Sequence, residues 1–454
     1  MSDGPDLIVA GAGGGLAGAL RAAELGLSVL VVEASEHFRR GNNTSMSTAM
    51  FPGAGSRWQR EAGIEDSPET FVADIMAKTE GQAEARLSRT LAGVSAELVE
   101  WLHDSVGLPL SLVTDFNYPG HAVPRCHSIE GRHGSGVIDH LARRVAEHEN
   151  IEMLVPAKLV DVLTEADGVR AAVIRYPDGV EEEIPTRAIL LATNGFGADR
   201  DLVQRYLPEI ADALYQGSDQ SLGDALRIGE KLGAATGFLD AYQGHGAVAA
   251  NAGTLLGWAT IIHGAVLVDT TGHRFGNETR GYSEYAAELA ARPGATGWIV
   301  FDETVFEQCQ AFQDFRNVVA SGGVVWAGDA AGLAAATGLP ADALVAELAA
   351  VQAIARGEQP DPHGRTNWER PLSGRWAAVR VVPALFHTQG GLLVNERAAV
   401  VDAQDRAIPG LYAAGGAAAS ISGHGAAGYL PGNGLLPAFG LAYLAAGDVA
   451  RRAA

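Results

Sequence analysis

The stretch from Leu7 to Glu33 constrains this chain more than any other. Leu7-Ile-Val-Ala10 is a short apolar run suited to a buried strand, Gly11-Ala-Gly-Gly-Gly15 follows it, and an Ala/Leu-rich helix continues to Leu25. Gly26 stops that helix, and Ser28-Val-Leu-Val-Val32 forms a second strand that ends at an acid, Glu33. Strand, glycine turn, helix, strand and acid in this order make the first βαβ unit of a dinucleotide-binding fold. Such a turn aims backbone N–H groups and the positive end of a helix dipole at a pyrophosphate, which only glycine lets approach so closely. Glu33 is placed to take the ribose hydroxyls. Gly11 and Gly13 fill the first two positions of the G-x-G-x-x-G pattern, but its third position falls on Leu16. Reading the pattern as Gly13, Gly15 and Gly18 restores the spacing but begins inside the turn. Both registers stay open, and so does the choice between a flavin and a nicotinamide, because both use this turn.

A chain of 454 residues, 47% of them hydrophobic, is long enough for two or three domains with sizeable cores. Its 57 glycines follow no collagen period, so they are expected in tight βα turns and where backbone lies close to a ligand. The formal net charge of -21 argues against nucleic acid or an anionic membrane surface as the main partner. Two cysteines, Cys126 and Cys309, make no disulfide framework and sit in no metal-ligand spacing, so no metal site is expected. The first residues, Met1-Ser-Asp-Gly-Pro-Asp6, lack a basic n-region, and the most apolar tail, Gly434 to Ala446, contains Pro437 and is too short for a bilayer span. The expectation is a soluble, cytoplasmic protein without a signal peptide or membrane span.

Farther along, Asn150 to Thr193 reads as a β-meander with turns at Ala166-Asp-Gly168 and Pro177-Asp-Gly179. It closes with Ala188-Ile-Leu-Leu-Ala192 before Thr193-Asn-Gly-Phe-Gly197. From about Asp199 to Gly357 helices mix with shorter strands, and the terminal part returns to strand-and-glycine texture with a last helix from Gly434. This is an α/β chain: a Rossmann-like, three-layer nucleotide domain in two parts, 1–198 and 358–454, with a middle α+β domain, 199–357, inserted into it.

Six further segments occur in order: Gly41-Asn-Asn-Thr-Ser-Met-Ser47, Ala192-Thr-Asn-Gly-Phe-Gly197, Arg274-Phe-Gly-Asn-Glu278, His387-Thr-Gln-Gly-Gly391, Ile408-Pro-Gly-Leu-Tyr-Ala-Ala-Gly415 and Gly432-Asn-Gly-Leu435. Together they resemble the flavoprotein superfamily of fumarate reductases, succinate dehydrogenases and 3-ketosteroid dehydrogenases, over almost the whole chain. The resemblance implies FAD extended across the first domain and a capping domain closing the substrate over the isoalloxazine ring. It implies cofactor contacts from Gly11, Gly13, Gly15, Glu33, Ala34, Asn42, Asn43, Thr44, Ser45, Ala157, Thr193 and Gly195. Near the flavin ring it adds Gly415, Gly416 and the helix start Gly432-Asn433-Gly434-Leu435, whose dipole stabilises negative charge on reduced flavin. Members that attach FAD covalently carry a histidine where this chain has Asn43, so non-covalent FAD is expected.

The same resemblance bears on the chemistry. Fumarate reductases protonate a dicarboxylate with an arginine at the position that is Tyr282 here, relay the proton through residues falling near Trp258 and Ile261, and hold a carboxylate with an arginine where this chain has Tyr429. Arginine binds carboxylate through two parallel charged hydrogen bonds that tyrosine cannot copy. In enzymes similar to the 3-ketosteroid dehydrogenases both positions are tyrosines. One of them, with a backbone N–H such as that of Gly434, hydrogen-bonds the ketone oxygen. The other removes a proton from the adjacent carbon while hydride passes to flavin N5. By this resemblance Tyr429 takes the carbonyl and Tyr282 the proton, with His387 and His245 completing the catalytic set. Tyr118, Trp258, Ile261, Arg280 and Gly434 are expected at the substrate, and Tyr118, Tyr285 and Arg280 are candidates to support the base. Arg125 and His127 match a family segment near the pocket, with a surface salt bridge as an equal reading. One residue more than usual separates tyrosine from glycine in Tyr429-Leu-Pro-Gly432, which points to a smaller cyclic ketone in place of a steroid.

The expected activity is therefore FAD-dependent oxidation or reduction of a C–C bond next to a carbonyl. A fumarate-type enoate reductase using Arg280, His245 and His387 is the alternative, and a flavin electron carrier without small-molecule turnover is the alternative of another class. No second Rossmann turn is visible, so the electron acceptor stays open among a quinone, another flavoprotein and oxygen.

Overall fold

The computed structural model describes residues 4–453. The chain divides into two compact units: residues up to Pro208 with Gly217–Gln243 and everything from Phe386 onward, and, as the second unit, Glu209–Gln216 with Gly244–Leu385.

The first unit is built on strand β1 (Leu7–Ala10), helix α1 (Gly15–Glu24) and strand β2 (Val29–Val32). All eight residues of the two strands are buried, as expected of parallel strands covered on both faces. They lie inside a six-stranded sheet in the order Ala399–Val401, Ala407–Ala413, Ile189–Leu191, β1, β2, Ile151–Leu154. Every neighbouring pair is parallel except the first, which is antiparallel. The α1 helix ends where the sequence places its stop: Gly26 takes φ +89, and the Leu27 N–H reaches back to the Ala22 carbonyl at 3.1 Å.

The meander read between 150 and 193 is only partly one. Lys158–Glu165, Gly168–Arg175 and Glu181–Pro185 form an antiparallel three-stranded sheet, with Gly168 (φ +125) and Gly179 (φ +85) at the two predicted turns. The flanking strands Ile151–Leu154 and Ile189–Leu191 instead join the parallel sheet beside β2 and β1. Ile189–Leu191 has no polar alternation and is buried throughout, so it fits a two-face-covered position better than a meander edge. On the helical layer, α1 packs on the long C-terminal helix Leu435–Ala453. The approach is close enough that a methyl on Gly14 would collide with the Ala438 carbonyl, and one on Gly18 would lie 3.1 Å from Ala442 Cβ.

The second unit holds most of a mixed sheet, ordered Thr254–Leu255, Tyr242–Ala249, Trp376–Thr388, Gly297–Asp302, Val266–Asp269, with Leu214–Tyr215 and Val324–Ala327 also paired to Trp376–Thr388. The apolar runs noted at 264–268 and 298–301 fall on two of these strands. The helices Ala330–Thr337 and Ala341–Ala355 pack on each other within this unit. Residues 358–385, grouped with the nucleotide domain in the sequence reading, fall in this unit. Among the described residues no helix is long and apolar enough to cross a membrane.

Candidate active site

At the nucleotide end, the two registers of the glycine turn become distinguishable. Gly11 makes the tight turn: its φ is +109, a Cβ would strike the Ala192 carbonyl, and its N–H donates to Val32 O at 2.8 Å. A methyl on Gly13 would meet only Thr44 Oγ1, at 3.2 Å, so this residue presents open backbone. Gly15 and Gly18 face the sheet, where a methyl would lie 2.8 Å from Val9 Cγ1 or 2.9 Å from Leu190 Cδ2. Helix packing, which the usual pattern assigns to its third glycine, is thus shared by two glycines around buried Leu16. The helix carries no side-chain cap at Gly14, leaving its N-terminus able to receive an anion.

Glu33 is 8% exposed and accepts the Ala12 N–H at 2.8 Å and the Ser35 N–H at 2.7 Å. Burial raises its pKa, opposed by those backbone donors. The carboxylate thus braces the glycine turn and keeps acceptor capacity beyond these two bonds. Ala34 follows it, and the Ala157 N–H donates to the Glu33 carbonyl at 2.8 Å. Asn42 accepts the Ser45 N–H at 2.8 Å, while Ser45 Oγ donates to the Asn42 carbonyl at 2.7 Å. Asn43 donates to Phe386 O at 3.1 Å and accepts the Ser218 N–H at 2.7 Å, so it clamps backbone with both ends of its amide.

Around Gly434 several expected residues come together. A methyl on Gly434 would lie 3.1 Å from His387 Nε2 and 3.3 Å from Tyr429 Oη. The two rings stand edge to face, 5.9 Å between centroids. Ser422 Oγ donates to Gln389 Oε1 at 2.9 Å, which turns the Gln389 amide nitrogen to His387 Nδ1 at 2.9 Å. The ring also has the Thr388 carbonyl 3.2 Å from Nδ1 and the Gln389 amide nitrogen 3.3 Å from Nε2, the atom beside Gly434. Burial pushes the His387 pKa down to about 4, so the ring is neutral at pH 7. Tyr118 packs edge-on against Phe116 in a small cluster with Met50, Val113 and Cys126, and burial raises its pKa first, with Cys126 next.

The first unit contains buried polar atoms that the protein does not satisfy. Asn433 is 1% exposed, and among the described residues neither end of its side-chain amide has a partner. Thr193 Oγ1 and Ser420 Oγ are buried in the same condition. Buried polar groups are almost always paired, so Asn433 and Thr193 mark where a polar ligand belongs. Gly415 (φ +61) and Gly432 (φ +94) sit where side chains would be strained, and Gly195 and Gly416 press on each other's backbone. The residues present therefore fit the expected FAD. Among the described residues no group of His, Cys, Asp and Glu could hold a metal ion.

In the second unit, His245 (4% exposed), Trp258 and Tyr282 form one aromatic group. The His245 and Tyr282 rings are stacked with centroids 4.8 Å apart, and Trp258 lies edge-on to His245 at 5.7 Å. The Ala247 N–H donates to His245 Nδ1 at 3.1 Å, so Nε2 carries the proton. Burial pushes the His245 pKa down to about 3. Tyr282 opens the helix Tyr282–Ala290 immediately after Gly281 (φ +144). Arg280 is exposed on the short turn before it. Tyr285 is buried against Trp258 and Phe275, and burial raises its pKa.

What holds this segment was not visible locally in sequence. Arg274 makes a bidentate pair with Glu278, 2.7 Å on both arms, and also reaches Asp361 at 3.0 Å. Arg365 lies 3.5 Å from Glu278, donates to the carbonyls of Ile261 and Ala265 at 2.8 Å each, and stacks 3.9 Å over Trp368. Two arginines and two acids thus neutralise each other inside the unit. Asp361 and Arg365 come from a segment nearly ninety residues downstream of the Arg-Phe-Gly-Asn-Glu motif. The surface alternative for Arg125 is overturned as well. Its side chain is fully buried, paired with Asp66 and Asp74, and His127 is buried against Ser56 Oγ at 2.9 Å.

Comparison with known proteins bears on this geometry. The family described as "FAD binding domain" matches residues 6–435. NADH:fumarate oxidoreductase of Klebsiella pneumoniae is 30% identical over 92% of this chain, and the chain spans 45% of that protein's length. The 4-oxocyclohexanecarboxylate 2-dehydrogenase of Sinomonas cyclohexanicum is 27% identical over 99% of this chain and 93% of its own. Among solved structures, the open conformation of a flavocytochrome c3 fumarate reductase superposes with a TM-score of 0.81 at 25% identity, covering 99% of this chain and 78% of that one. The 3-ketosteroid delta1-dehydrogenase of Sterolibacterium denitrificans gives 0.77 at 21% identity, covering 99% of both chains, and shares the fold.

Proposed function

This chain belongs to the FAD-binding-domain family of flavoprotein oxidoreductases, and on that premise we propose that it oxidises a cyclic ketone at the C–C bond next to its carbonyl, or reduces the matching enone. The observation that carries the reading is the closeness of the Tyr429 hydroxyl to Gly434: its Oη lies 3.3 Å from where a methyl on that glycine would stand. A phenol and a backbone N–H there make a pair of neutral donors for a ketone oxygen that becomes enolate-like. Neutral donors suit a ketone; a carboxylate calls for the arginines that this chain lacks at positions 282 and 429.

FAD, held without a covalent bond by the turn at Gly11 to Gly15, Glu33, Thr193 and the Gly432–Leu435 helix start, supplies the hydride acceptor or donor. Tyr429 and Gly434 N–H hold the carbonyl oxygen. Tyr282 takes the proton from the adjacent carbon, assisted by the His245 ring stacked on it. His387, neutral at pH 7, lies beside Gly434 and brings no charge that would favour a carboxylate. A small cyclic ketone is the substrate class. The Sinomonas relative, named for such a ketone acid and matched nearly end to end, supports that size, and exposed Arg280 offers a cation for a carboxylate substituent.

The test is anaerobic incubation of FAD-loaded protein with 4-oxocyclohexanecarboxylate in heavy water. Deuterium exchange at the carbon next to the carbonyl, lost in Tyr282→Phe, supports the assignment. Exchange unchanged in that variant removes Tyr282 from the proton step. The fumarate-type reading is favoured by the Klebsiella relative. It requires fumarate to reoxidise the reduced flavin, with that activity lost in Arg280→Ala.

A further inference from the structure

Tyr429 and Gly434 stand on a buried turn whose support comes from elsewhere in the first unit. The turn is closed by the Asn433 N–H to Leu430 O at 2.9 Å and the Leu436 N–H to Gly432 O at 2.9 Å. Its inserted residue, Leu430, is fully buried, and the next carbonyl, Pro431 O, points inward to His121 Nε2 at 2.8 Å. The other ring nitrogen, His121 Nδ1, meets Arg125 Nη1 at 3.1 Å. A guanidinium only donates, so Nδ1 accepts and the proton on Nε2 is committed to Pro431.

Arg125 is itself fixed. It holds both oxygens of Asp66 at 2.9 Å, reaches Asp74, and lies 4.6 Å over the Phe71 ring. Asp66 also accepts Gln59 Nε2 at 2.8 Å, and the side chains of Arg125 and Asp66 are fully buried. The loop carrying His121 is tied by Asn117 Nδ2 to the His121 carbonyl at 2.7 Å, and a methyl on its Gly120 would press on Leu430 Cδ1 at 2.5 Å. A chain of packed, fully bonded groups therefore runs from the acid pair through Arg125 and His121 into the turn.

We propose that His121 is a positioning residue: its Nε2–H, oriented by Arg125, fixes the Pro431 carbonyl and thereby sets where the Tyr429 hydroxyl and the Gly434 N–H stand. The consequence for turnover rests on the ketone-binding role given to Tyr429 above; the structural coupling does not. In this arrangement Arg125 supplies no charge to the substrate, because Asp66 and Asp74 absorb it, and serves only to hold the imidazole in one tautomer and orientation. The extra residue in the Tyr-Leu-Pro-Gly run is accommodated because Leu430 fills a buried space and Pro431 O finds a donor.

The experiment uses the full, FAD-loaded protein with 3-fluorotyrosine placed at position 429 and read by fluorine NMR without substrate. His121→Leu, which cannot donate, is expected to move the resonance, and His121→Gln, whose amide reaches the Nε2 position, to return it toward the wild-type value. A resonance at the wild-type position in folded, FAD-loaded His121→Leu overturns the proposal. If His121→Leu does not fold, His121→Asn, too short to reach Pro431, carries the same two outcomes. With a cyclic ketone, kcat of the non-donating variant is expected to fall about 10- to 100-fold at near-constant KM, since displacements of about 1 Å cost on that order. If the wild type turns over no ketone, the functional reading fails while the fluorine shift still decides the role of His121.

Discussion

Asn433→Leu separates a cofactor contact from a structural one, because its two effects have opposite signs. The Asn433 side chain is 1% exposed with both polar ends unpartnered in the protein itself. An unsatisfied buried amide costs about 1–3 kcal/mol, so replacing it by an apolar group of similar volume relieves the cofactor-free protein by about that amount. For a chain of this size unfolding as one unit, about 1 kcal/mol moves Tm by roughly 1 °C, so the apo form should melt about 1–3 °C higher. In the loaded protein the same substitution would remove the hydrogen bonds proposed between the amide and FAD. A loss of about 1.5–3 kcal/mol there weakens FAD binding by roughly 10- to 100-fold. Thermal scanning of the apo protein and a titration following quenching of FAD fluorescence measure the two effects. A lower apo Tm together with unchanged FAD affinity would show that Asn433 serves the fold, and the ligand-site argument built on it would be wrong.

Other outcomes follow from the same geometry. Tyr429→Phe should keep bound FAD and lose about 10²- to 10³-fold in kcat on a ketone, the usual effect of removing one oxyanion donor, measured by enone formation; undiminished kcat would exclude Tyr429 from carbonyl binding. Glu278→Gln leaves Asp361 to balance both buried arginines and should cost about 3–5 kcal/mol in chemical denaturation, whereas a loss under about 1 kcal/mol would show the network to be loose. His121, His245 and His387 have folded pKa values pushed by burial down to about 4, 3 and 4. The neutral forms are favoured in the fold, so their contribution to stability is full above about pH 6.5, the ordinary histidine value, and is lost as pH falls toward 4. Tm measured from pH 7 to 4.5 should fall, more steeply in the wild type than in His245→Phe; a flat profile contradicts neutral burial.

The parts of this molecule that sequence disclosed are those built from contiguous residues. The β1-turn-α1-β2 unit was readable because its apolar strands, glycines and helix stop follow one another within a single stretch, and the structure reproduces it from Leu7 to Val32. The register of the glycine turn was not, since it depends on which glycines meet Val9, Ala192 and Leu190 across the sheet. The pairing of Ile151–Leu154 and Ile189–Leu191 was missed for the same reason: local alternation identifies a strand, but not its neighbour. Within the site, the neighbourhood of Tyr429, His387 and Gly434 joins residues that lay in separately recognisable motifs. Their supports could not be read that way. Gln389 and Ser422 look like ordinary polar residues until their side chains are seen to hold the His387 ring. Arg125 carried a signal, a cation amid apolar and small residues, but burial and its two acid partners appear only in three dimensions. Asp361 and Arg365 had none, because ion pairs across nearly ninety residues leave no spacing in the sequence.

The most direct test of the central claim is an anaerobic absorbance titration of the FAD-loaded protein with a panel of saturated cyclic ketones, from 4-oxocyclohexanecarboxylate to 3-ketosteroids. The account predicts that a small cyclic ketone bleaches the oxidised flavin band and that the matching enone accumulates in equal amount. A band that no ketone bleaches, in a protein whose reduced flavin is reoxidised by fumarate, would contradict it.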